Sequence, residues 1–136
     1  MGGVRSPQRL RKDGLSDGVC LGLGAHRVEP WREYGNKRFI LRTNQLAALP
    51  VRPGFDTYGG DAVFDEQWRV LRIDRMEDGE LVTYKPGDAK WEYAKFTFRS
   101  TVFTLVTVID HLWAVHLVTA NVFVQASKTY LSSEHP

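Results

Sequence analysis

A single cysteine, Cys20, in a chain of 136 residues excludes an internal disulfide framework and any cysteine-rich metal site. A strong charge of one sign is missing too. Lys and Arg number 18 and Asp and Glu 16, leaving a net +2. So small an excess, with aromatics not interleaved among basic residues, gives no strand-binding surface, and nucleic acid is not the expected partner. No secretory hydrophobic segment opens the chain, so a cytoplasmic or organellar setting is expected rather than secretion. The most telling absence is local. The chain holds 12 glycines and 6 prolines, yet none of either falls between Ala89 and Thr129.

What is present describes a globular protein with an uneven start. The hydrophobic share of 43% and charged share of 25% exclude disorder along the whole chain. Arg5, Arg9, Arg11 and Lys12 precede a glycine-rich run, Gly14 to Gly24, and residues 1–36 read as a flexible basic segment. Residues 38–49 carry apolar positions at strand-like and helix-like spacings alike, and neither is assigned. Two prolines and three glycines make residues 50–61 a turn-rich connector. Then Trp68, Val70, Leu71 and Ile73 form one apolar run and Leu81, Val82 and Tyr84 another, with Asp78-Gly79 between them. That pair is a hairpin signal, so residues 67–73 are expected to pair with 80–85. Pro86-Gly87 ends the second strand, and Asp88 is the expected N-cap of a helix over about 89–129. The β-branched run Thr101, Val102, Thr104, Val106, Thr107, Val108 and Ile109 lowers intrinsic helix propensity, so this helix is expected to be buried and held by packing.

Within that helix lies Asp110-His111-Leu112-Trp113-Ala114-Val115-His116. Histidines five apart stand about 140° apart around a regular α-helix. A π-turn brings positions i and i+5 to one side, and such turns cluster at functional sites. His111 and His116 are therefore candidate ligands of one metal, and imidazole suits iron, zinc and copper alike. Two ordinary core or surface histidines give the same spacing, and spacing alone favours them.

The surrounding residues narrow the choice. Trp91, Ala94, Lys95, Arg99 and Ser100 match the W-x-x-A-K-x-x-x-R-S segment of animal-type lipoxygenases. At the family's offset follow His111, Leu112, His116, Leu117 and Val118, matching H-L-x-x-x-H-L-V without a gap from Trp91. Val122, Phe123, Ala126, Leu131, His135 and Pro136 line up further on. The chain thus resembles a lipoxygenase over about a third of its length. It departs from the pattern at Val106 and Ala120, and one residue is inserted between Thr119 and Val122. The resemblance implies a non-haem iron dioxygenase in which iron, held by His111 and His116, serves hydrogen abstraction from polyunsaturated fatty acids and O2 insertion. The family's further ligands come from later in its chain. Residues 37–136 would then be the N-terminal part of a mostly helical catalytic domain, ending just after the first two iron ligands.

The expected fold class is an α+β fragment, a hairpin followed by a long buried helix with a π-bulge, inactive as these residues alone. The alternatives are a lipoxygenase-derived protein without chemistry, acting by interaction, and a single-span membrane protein. Residues 101–124 approach the length of a bilayer crossing. Asp110 at mid-span costs about 2.5–3.5 kcal/mol on insertion scales, so no stable transmembrane span is expected, and peripheral membrane association stays open.

Overall fold

The computed structural model describes residues 22–32 and 38–135. Five antiparallel strands form a meander whose spatial order follows the chain: β1 (Glu29–Pro30), β2 (Arg38–Leu41), β3 (Asp61–Asp65), β4 (Val70–Glu77) and β5 (Glu80–Tyr84). A continuous helix of 40 residues, Trp91–Tyr130, follows the sheet. It opens as α1 (Trp91–Thr104), continues in π geometry over Leu105–Thr119 and returns to α as α2 (Ala120–Tyr130).

Alternation along the central strands creates two unequal faces. Leu41, Ala62, Phe64, Ile73 and Tyr84 turn to the main core. Ile40 and Val63, one residue out of phase, join Trp31 in a small cluster on the other face. Onto the main face α1 lays Trp91, Ala94, Phe98 and Val102, and the stripe continues with Val106. Steps of three and four residues keep these side chains on one side of a helix. Phe98 is fully buried at the centre of the contact.

The connector backbone meets the helix at Gly59 and Gly60. Thr101 Oγ1 accepts from the Gly59 N–H at 3.0 Å and donates to the Thr97 carbonyl at 2.9 Å. A Cβ on Gly60 would lie 3.6 Å from Phe98 Cδ2 and 3.4 Å from Ile73 Cγ2, and the residue sits at φ +123°. Only glycine takes that conformation without strain. The connector's glycines therefore do more than turn the chain; they let β3 begin directly beneath α1.

In its coarse form the α+β expectation holds: an antiparallel sheet precedes one long helix, and the Asp78-Gly79 turn joins two paired strands. Three details differ. The first hairpin strand runs from Val70 to Glu77 rather than over 67–73, with Glu77 paired to Glu80. Its charged stretch stays extended because each charge finds a partner there. Asp74 accepts from Thr83 Oγ1 at 2.7 Å, Arg75 donates to Asp56 at 2.8 Å and Glu77 accepts from Tyr84 at 2.8 Å. Trp68 instead takes φ 62° in the β3–β4 turn, where its ring stacks on Phe39 at 4.4 Å. Second, Asp88 does not cap the helix. Its carboxylate accepts from the Lys85 N–H at 2.7 Å, and Lys90 occupies the cap without a side-chain bond. Third, the helix is buried only as far as Val106; beyond it nearly every residue is exposed.

Arg38–Leu49, left unassigned from sequence, divides into β2 and a 3-10 turn, Asn44–Ala48. Asn44 ties that turn to the sheet through Nδ2, which donates to the Asp74 carbonyl at 2.9 Å. Of the segment expected to be flexible, residues 22–32 carry a 3-10 turn, Ala25–Arg27, and β1. Its basic start and Cys20 lie outside the described residues.

Phe98→Ala leaves a cavity between sheet and helix and is expected to lower unfolding stability by about 3–5 kcal/mol. Phe123→Ala, on an exposed turn of α2, should stay within about 0.5 kcal/mol of the parent. Urea titration of both variants checks the contrast, and equal losses would contradict the one-sided core.

Candidate metal centre

The π-helical segment closes each turn on the fifth residue back, as where the Ala120 N–H donates to the Val115 carbonyl. The Thr119 hydroxyl follows the same geometry, donating to the Ala114 carbonyl at 2.9 Å. Positions five apart therefore stack on one side. His111 and His116 do so, their rings edge to face with centroids 4.7 Å apart and planes 85° apart.

Their Nε2 atoms are 3.1 Å from each other. In a metal-free protein one imidazole donates to the other across that gap. The same separation suits a shared metal. With metal–imidazole bonds of about 2.1 Å, nitrogens so spaced subtend about 95° at the ion, the angle of two adjacent ligands. Both residues are exposed. The donor set fits a first-row transition metal, iron included. Among the described residues no third His, Cys, Asp or Glu joins them to make a larger ligand group.

Asp110, beside this pair, is bound to the Ala25–Arg27 turn. Its carboxylate accepts from His26 Nε2 at 2.8 Å and from Arg27 Nε at 3.0 Å, and Arg27 Nη2 donates to the other oxygen. The Arg27 hydrogen bond outweighs partial burial and, with His26 adding to it, holds the Asp110 carboxyl below its usual range. Sequence reading gave no sign of this link, because its partners are 83 and 84 positions apart.

A second polar centre was also missed. Arg75 is the largest fully buried side chain. Its Nη2 donates to Asp56, which accepts from Tyr93 Oη at 2.8 Å as well. Burial pulls Asp56 upward, but the bonds from Arg75 and Tyr93 overcome it and hold the carboxyl below the ordinary range. This network pins the connector to α1. Between them runs a groove of about 630 Å³ bordered by Phe55, Asp56, Tyr58, Tyr93 and Phe96. None of the residues lining it belongs to the π-helical segment, so groove and histidine pair are separate features.

No known protein family, curated protein or solved structure matches the chain.

A carboxyl depressed in the folded state adds stability above its unfolded pKa, about 3.9 for Asp, and loses it as pH falls through the lower folded value. The Asp56 contribution is therefore complete at neutral pH and disappears in acid. Asp56→Asn is expected to lower Tm at pH 7 and to flatten its fall between about pH 5 and pH 2. Thermal melts across that range check this, and parallel curves for parent and variant would contradict it.

Proposed function

We propose that this chain carries the first histidine-bearing helix of a lipoxygenase-like non-haem iron dioxygenase acting on polyunsaturated fatty acids. The observation that carries the reading is the pairing of His111 and His116 across a π-turn with their Nε2 atoms 3.1 Å apart. It supports the resemblance because the i, i+5 spacing makes a chelating pair only in that geometry. Iron bound there supplies the one-electron chemistry by which a lipoxygenase takes hydrogen from a bis-allylic methylene and lets O2 trap the carbon radical.

On this reading the chain's residues have limited, definite tasks. His111 and His116 would hold the iron through their imidazole nitrogens. Phe98 and Val102 of α1, with Val106 at the start of the π-helical segment, anchor that end of the helix to the sheet. The remaining ligands come from residues other than those described. Leu112, Trp113, Val115, Leu117, Val118, Val122 and Phe123 are 43% to 68% exposed. A helix apolar on all sides normally lies inside a larger assembly. Further helices packed around it would give the dry surroundings that radical chemistry needs.

The same exposure favours a second reading, a protein without chemistry whose helix works by association. By length and composition Trp91–Tyr130 could cross a membrane. Its first part is occupied with the sheet, and Asp110, His111, His116 and Asn121 interrupt the rest, which favours a protein or peripheral lipid environment over a span.

Anaerobic titration with Fe2+ separates the readings. The chain is expected to bind one iron saturably, and His111→Ala or His116→Ala should each weaken binding at least ~10-fold. O2 uptake with linoleate is then expected from the protein carrying the complete ligand set and not from its counterparts lacking either histidine. Iron binding unchanged in the double variant would sink the dioxygenase reading and leave the association role.

A further inference from the structure

We propose that His26, Arg27 and Asp110 form a clamp that positions His111 against His116, a role that rests on the metal reading of that pair. The main core holds the helix up to Val106 and no further. His111 comes five residues later, where apolar packing has ended. Among the described residues, Asp110 makes the hydrogen bonds that join the π-helical segment to another element.

The geometry of the clamp suits that task. Arg27 offers Nε to one Asp110 oxygen and Nη2 to the other, and His26 adds a contact at 2.8 Å. A forked guanidinium fixes the plane of a carboxylate as well as its distance. The Asp110 side chain is 21% exposed and that of Arg27 35%, so the pair is partly shielded from solvent. His26 and Arg27 close the Ala25–Arg27 turn, where the Arg27 N–H donates to the Gly24 carbonyl at 2.9 Å. Val28 packs on the main core and β1 pairs with β2 immediately after. A rigid path thus runs from the sheet through Val28 and Arg27 to the residue preceding His111.

That path decides a rotation. In α geometry the two imidazoles would stand about 140° apart and could not share an ion. π geometry is the rarer and costlier form. With Val106 held by the core and Asp110 by the clamp, the winding of residues 107–110 is set at both ends, and with it the direction in which His111 leaves the helix. His26, Arg27 and Asp110 are positioning residues; they do not touch the metal.

The test uses the full chain with labelled histidines and first reads the metal-free protein. The His111 and His116 rings are close enough for a cross-ring nuclear Overhauser effect, which Asp110→Asn and Arg27→Met are expected to abolish while sheet resonances keep their shifts. Arg27→Lys keeps the charge without the fork and should weaken the signal partially. Co2+ alone is then titrated by visible absorption, with affinity expected to fall about 10- to 100-fold in Asp110→Asn and the cobalt spectrum to change. A cross-ring signal absent from the parent, or unchanged in both clamp variants, overturns the proposal. A clamp-dependent signal in a parent whose Co2+ binding ignores both histidines upholds the clamp as a conformational device and removes the metal reading. Co2+ bound through both histidines, equally well with and without the clamp, overturns the clamp and keeps the metal reading.

Discussion

The burial of Phe98 between α1 and the face built by Leu41, Ala62, Phe64 and Ile73 is the contact on which the other features depend. It uses both periodicities in the chain, alternate residues from the strands and every third or fourth residue from the helix. Beside it Gly60 holds a φ of +123° that favours glycine, and the contact's edges are secured by polar groups. Thr101 joins the helix to Gly59, while Arg75 and Asp56 hold the connector alongside. Arg75 is buried at a cost that the Asp56 carboxylate offsets only in part, since Arg75 Nε and Nη1 have no hydrogen-bond partner. Removing the carboxylate would leave the buried guanidinium unpaired, which is the costly alternative.

From that seat the helix continues well past the sheet. Its π-helical stretch is long for a form usually confined to single turns. Threonines accommodate it by returning their hydroxyl hydrogens to carbonyls of the preceding turn, as at Thr107 and Thr119. The chain returns to α geometry at Ala120, just after the second histidine.

Legibility was uneven, and for identifiable reasons. The Asp78-Gly79 turn and the long glycine-free helix were readable because each depends on local chemistry. Spacing alone favoured two ordinary histidines, with a π-bulge as one way to bring His111 and His116 together; the whole of Leu105–Thr119 is π-helical and stacks them on one side. β2 and β3 were hidden because both are short and pair with each other across a long connector, Phe39 with Phe64 and Ile40 with Val63. The charged run 74–77 looked like a loop because its partners Asp56, Thr83 and Tyr84 are supplied by other elements. The expectation of a buried helix failed for a different reason. Composition reports that a segment needs covering, whereas these residues cover only its first half. The Arg27–Asp110 link was invisible because two charges far apart in sequence carry no periodic signal.

One continuous helix with only one end seated has an uneven profile of local opening. Amides near Phe98 should exchange with solvent only when the whole sheet domain opens, whereas those of α2 can fray at little free-energy cost. The histidines lie on the boundary between these regimes. A ligand gripping both would act as a stop on unzipping from the C-terminal end and protect a few turns of backbone. The midpoint of global unfolding would move much less.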